Sequence, residues 1–102
     1  MPTREELYAE ADKLKDAGQL DEAANKLLEL TAQHPEYALP HSALAVILGR
    51  LGRHDQAIDH AKKVCELEPN DAFSFTALSV TCQRAGRIPE AEDALARAHS
   101  MR

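Results

Sequence analysis

Residues 46–71 read VILGRLGRHDQAIDHAKKVCELEPND, and the same plan is written twice more, as DKLKDAGQLDEAANKLLELTAQHPEY in residues 12–37 and as TCQRAGRIPEAEDALARAHSMR in residues 81–102. The copies keep a period of 34 residues: Gly18, Gly52 and Gly86 are equally spaced, as are Ala23, Ala57 and Ala91, and as are Pro35 and Pro69. A fixed interval of this length is the mark of a stacked-repeat architecture, in which each unit buries its apolar side against the next.

Within each copy the signals are helical. Thr3 followed by Glu6 forms a capping box, and Leu7, Ala11 and Leu14 then recur at helical spacing up to Gly18, which accepts the left-handed backbone that ends a helix. Asp21 and Glu22 suit the positive end of a second helix, whose stripe is Ala23, Ala24, Leu27, Leu28 and Leu30 and which closes at His34-Pro35. The second copy has Pro40 in a first turn, then Leu44, Ala45, Ile47, Leu48 and Leu51 up to Gly52, and Ala57, Ile58, Ala61 and Val64 up to Pro69. The third has Asp71 as a cap, Phe75, Leu78 and Cys82 before Gly86, and Pro89, Ala91, Leu95 and Ala98 after it. Turns of about two or three residues force each helix pair antiparallel. No segment alternates with period two, so the expected class is all-α.

Composition narrows the function. The chain has 102 residues, 44% hydrophobic and 28% charged, which fits one folded domain. Its net charge of −5 is uneven: −5 over residues 1–37, −1 over 38–71 and +1 over 72–102. Such a distribution argues against a nucleic-acid footprint, which needs Lys and Arg clustered on one face, and leaves a basic partner near the N-terminal end open. No apolar run approaches a membrane span and MPTREELYAEAD has acids where a signal peptide is greasy, so no membrane association and a cytoplasmic location are expected. Cys65 and Cys82 form no CxxC and are expected as free thiols in or near the core. The five histidines do not share metal-ligand spacing, since His34 and His41 flank a loop and His54 and His60 fall on different helix faces; no metal and no cofactor are expected. HExxH, GxSxG and phosphate-loop motifs are absent, so the reading is non-enzymatic. Glu22 with Lys26, Asp59 with Lys63 and Asp93 with Arg97 are spaced for weak pairs on solvent faces.

With this period and small residues at the helix crossings, the chain resembles the tetratricopeptide repeat family. Setting each glycine at the fifteenth place starts the repeats at Arg4, Ala38 and Ala72, giving repeats 4–37, 38–71 and 72–102 within a single domain, 1–102. The family's small places are then Ala11, Ala45 and Ser79 at place 8, and Ala23, Ala57 and Ala91 at place 20. The resemblance implies a right-handed α-solenoid of three antiparallel helix pairs. The middle repeat is the most apolar, while Glu10, Lys13, Thr81 and Glu92 make the outer two more polar. Apolar surface around Leu95, Ala98 and Met101 is expected to stay exposed, which would favour self-association.

The resemblance also implies an inner groove lined by the first helix of each pair. Its places fall on Tyr8 and Asp12 in the first repeat, Leu39, Ala43, Val46 and Arg50 in the second, and Phe73, Ala77, Val80 and Arg84 in the third. Tyr8 and Phe73 would be anchors, Asp12 and Asp16 one margin, and Arg50 and Arg84 the other, a pattern suited to a peptide or amphipathic helix of a partner protein. The competing reading is that Leu39, Val46, Phe73 and Val80 fill contacts between neighbouring helices. Family members that hold acidic chaperone tails use Lys, Asn, Asn, Lys and Arg where this chain has Tyr8, Asp12, Ala43, Phe73 and Ala77, so capture of a chaperone C-terminal tail is not expected. Two functions are therefore expected in order: an adaptor or scaffold that binds a partner in the groove, or a structural unit that homo-oligomerises through its uncapped C-terminal helix.

Overall fold

Gly18, Gly52 and Gly86 lie at φ of 82°, 80° and 78°, the left-handed region in which a side chain is strained. Added Cβ atoms at these glycines would meet open space, so the requirement is one of backbone conformation and not of room. Each glycine closes a first helix in the same way. The amide two residues after the cap returns to a carbonyl inside the helix, Gln19 to Leu14 at 2.9 Å, Arg53 to Leu48 at 2.8 Å and Arg87 to Cys82 at 2.8 Å. The chain is thereby turned back on itself three times.

The computed structural model describes residues 1–101; Arg102, with which the third expected repeat ends, lies outside them. The helices are α1 (Arg4–Asp16), α2 (Leu20–Gln33), α3 (Ala38–Arg50), α4 (His54–Leu67), α5 (Ala72–Arg84) and α6 (Ile88–Ser100), with no strand among the described residues. The expected repeat starts at Arg4, Ala38 and Ala72 are the first residues of α1, α3 and α5. Both halves of the Thr3–Glu6 capping box form, at 3.1 Å each, and Asp71 accepts the Phe73 amide at 3.0 Å to start α5. Every helix packs on the next in sequence, and the first helices α3 and α5 also touch, which makes the array an all-α solenoid 42 × 26 × 19 Å across.

The core follows the small places. Ala11, Ala23, Ala24, Leu27, Leu44, Ile47, Leu48 and Ala57 form one buried cluster that spans the first two repeats. Alanine at the crossings lets the helices of a pair approach closely enough for the leucines to interlock. In the third repeat serine holds the same place without an orphaned hydroxyl: Ser79 donates to the Ala91 carbonyl at 2.8 Å, so the crossing residues are joined by a hydrogen bond. Both cysteines are free and buried, and burial pushes each thiol up from its ordinary pKa.

Two expectations need correcting. Ala98 is fully buried against Phe75 and Cys65, and Leu95 and Met101 are half-buried. The reason is Phe75, which covers the inner side of α6, while the outer side shows Glu92, Asp93, Ala96, Arg97 and His99. The second correction concerns charge. Lys26 reaches Glu10 on α1 at 3.2 Å, Lys63 reaches Glu66 at 3.5 Å, and Arg97 lies 5.0 Å from the centre of the Phe75 ring. Lys26 finds a carboxylate on the neighbouring helix, Lys63 one a turn further along its own helix and Arg97 an aromatic ring, so the expected partners Glu22, Asp59 and Asp93 are passed over.

Candidate functional site

Phe73, Ala77 and Val80 recur at helical spacing along one side of α5, and Val46 stands 34 residues before Val80 on α3. Their placement leaves Phe73 77% exposed, Leu39 47%, Val46 40% and Val80 39%. Each of these side chains keeps more than a third of its surface open to solvent. Most other large apolar residues are covered, so a run of exposed ones on the two first helices marks this face.

Between α3, α4 and α5 lies a cleft of about 420 Å³. Ala45, Ala61 and Val64 are buried beneath it, while Val46, Phe73, Ala77 and Val80 line its open side. Arg84 stands where α5 ends, and Glu68 and Asp71 stand where it begins. Among the described residues no ion pair engages any of these charges. A second cleft of about 410 Å³, lined by Arg4, Glu36, Tyr37, Leu39 and Leu67, shares Ser42 and Glu68 with the first and continues it toward α1.

Val46, Phe73, Ala77, Val80 and Arg84 thus come together in one cleft, with Leu39 in the adjoining one. The other expected groove residues do not join them. Tyr8 is half-buried with its ring 6.4 Å from Tyr37, and burial raises its phenol pKa first, with the Asp12 charge adding to it. Asp12 is held by Lys15 at 3.0 Å, which raises the Lys15 pKa. Ala43 packs on the core cluster of the first two repeats, and Arg50 is exposed in the last turn of α3 outside either cleft lining. Tyr37, with the Arg4 guanidinium 4.2 Å from its ring centre, was not read as a site residue. It precedes α3 in the connection between repeats, where helical spacing gives no signal.

Sequence spacing also missed a histidine pair. His41 of α3 and His60 of α4 meet with their Nδ1 atoms 2.9 Å apart, and His41 Nε2 lies 3.1 Å from the Pro35 carbonyl oxygen. A carbonyl can only accept, so His41 carries its proton on Nε2 and offers a bare Nδ1, to which His60 Nδ1–H donates. Burial lowers the pKa of both rings; facing charges add to this, Lys63 for His41 and His41 itself for His60. No cluster of three or more metal-ligating side chains occurs among the described residues, and no described helix is long and apolar enough to cross a membrane.

Comparison with known proteins agrees with this geometry. Two family descriptions, each of the tetratricopeptide repeat, match residues 8–72 and 74–99. The small glutamine-rich tetratricopeptide repeat-containing protein 2 of Mycosarcoma maydis is 34% identical over 93 residues, covering 88% of this chain and 26% of that protein. Among solved structures, "MamA MSR-1 C2" superimposes with a TM-score of 0.84 at 23% identity over 97% of this chain and 57% of that one. "Crystal structure of MamA protein" gives 0.87 at 19% identity over 97% and 54%. At these identities the likeness to MamA is one of fold, and the chain spans about a quarter of the curated relative and little over half of the MamA chains. With one family description matched across the first two repeats, another within the third, and a glycine-closed helix pair in each, the chain belongs to the tetratricopeptide repeat family, a family of protein-interaction repeats.

Proposed function

We propose that this chain is an adaptor or scaffold module that binds a peptide or amphipathic helix of another protein along the α3–α5 face. The observation that carries the reading is the exposure of Phe73 beside Val46 and Val80 over a cleft with a buried apolar floor. An aromatic ring left in water on a rigid helix is the kind of anchor that dominates binding energy when a partner covers it. The reading excludes chaperone-tail capture through the family's clamp, because an incoming carboxylate would meet Asp12 and apolar walls in place of paired cations. It is non-enzymatic, and its setting is the cytoplasm, where unpaired Cys65 and Cys82 would persist. Self-assembly through α6 is the less supported alternative, since Ala98 is buried and the outer side of that helix is polar.

Phe73→Glu and Val46→Glu test the proposal. Each places a carboxylate in the cleft at an exposed position, so helical circular dichroism should be unchanged while a bound partner is lost. Partner binding retained by both variants would remove the groove from the account. Sedimentation over a range of concentrations separates the alternative, which requires concentration-dependent association.

A further inference from the structure

We infer that the occupant of the α3–α5 cleft is a short amphipathic helix running antiparallel to α5, with acidic residues in its first turn and basic residues in its last. This rests on reading that face as a docking surface and adds the occupant's chemistry and direction. The cleft is electrically polar along its length. Arg84 stands at one end and Glu68 and Asp71 at the other, all exposed and none engaged in an ion pair among the described residues. At 1.5 Å per residue, the line from Phe73 to Arg84 spans about 16 Å, the length of a helix of roughly 11 residues.

Three effects then select the same direction. Acids of the occupant meet Arg84, and bases meet Glu68 and Asp71. The first helices α3 and α5 run parallel, so their negative C-terminal ends lie together at the Arg84 end, where the positive N-terminus of an antiparallel occupant would sit. Acids in a first turn and bases in a last turn also suit the occupant's own dipole, whereas the opposite direction would require a helix charged against its dipole. Apolar residues at i, i+3, i+4 and i+7 would cover Phe73, Ala77, Val80 and Val46.

The test uses two hydrocarbon-stapled peptides of about 14 residues with one leucine face, in which the staple fixes helicity. One carries Glu in its first turn and Lys in its last; the other carries these charges exchanged. The first should bind about three- to tenfold more tightly at low ionic strength, a preference that fades with added salt. Arg84→Glu combined with Glu68→Lys should reverse the order, and Arg84→Glu alone should abolish it. A spin label on the N-terminus of the first peptide should broaden the amide signals around Arg84 and spare those around Phe73. Equal affinities, an order unchanged in the exchanged variant, or broadening at Phe73 would overturn the inference while leaving the groove intact, provided Phe73→Glu still abolishes binding. Failure of the first peptide to bind, alone or together with the second, overturns the proposed chemistry of the occupant, and binding that survives Phe73→Glu overturns the groove itself.

Discussion

Replacing Ala57 with leucine tests the registration on which every other placement depends. Ala57 is 0% exposed and sits at the crossing of α3 and α4, in one cluster with Leu44, Ile47 and Leu48. Leucine adds three carbon atoms. Were there room, their burial would stabilise the fold by about 2 kcal/mol, at roughly 0.8 kcal/mol per methylene. There is none: Ala57 is fully covered and packed into the buried cluster of Leu44, Ile47 and Leu48. Repulsion therefore wins, and forcing side chains off their rotamers or α4 away from α3 costs about 1–3 kcal/mol. For a domain of this size each kcal/mol lowers Tm by roughly 4–8 °C, so a fall of at least about 4 °C is expected in a melt followed by circular dichroism. Ala96→Leu, on the exposed side of α6, is the control and should stay within about 0.5 kcal/mol of the parent. An unchanged melt for Ala57→Leu would mean that the crossing lies elsewhere and that the thirty-four-residue frame is misplaced.

Gly52→Ala should destabilise the array by about 1–2 kcal/mol in urea titration, because the cost of a Cβ at φ 80° is conformational and the open space around it gives no relief. Stability should also fall in mild acid. The pKa values of His41 and His60 are lowered on folding, so the unfolded chain binds protons more readily; their contribution is complete above the ordinary histidine value of 6.5 and is lost as pH falls through it toward the lowered folded values. A first proton on His60 Nε2 leaves both bonds of the pair intact, whereas protonating His41 Nδ1 sets two N–H groups against each other across 2.9 Å. Urea midpoints measured between pH 7.5 and 5 should decline, and His60→Leu should flatten that decline; an unchanged slope would place the acid sensitivity elsewhere.

The architecture was legible because it depends on one variable at a time. Gly18, Gly52 and Gly86 fix where a helix must stop, Ala23, Ala57 and Ala91 fix where two helices can cross, and neither inference needs a neighbour's identity. The groove was legible by half. Of the expected places, Phe73, Ala77, Val80 and Arg84 on α5 lie together in the cleft that this helix forms with α3 and α4. Those on α1 did not, because Tyr8 turns to Tyr37 and Asp12 to Lys15.

What spacing along one helix cannot give is the partner across the gap, as with His41 and His60, or Lys26 and Glu10. Yet one set of cross-helix contacts does obey the period. Arg53 lies 3.9 Å from Asp21, and Arg87 pairs with Asp55, so the turn of each later repeat reaches back to the opening of the previous second helix. The two rungs are themselves 34 residues apart, which means that the period could have been applied to charges as well as to alanines and glycines. Exposed pairs of this kind add little stability, but they reward one stacking register and oppose a slip, since displacing the middle repeat would separate Arg53 from Asp21 and Arg87 from Asp55. The third repeat carries Pro89 at the place of Asp21 and Asp55, so the same rung cannot be built on it. Register along the stack is thus written in charge between neighbouring repeats, while the shape within each repeat is written in small residues.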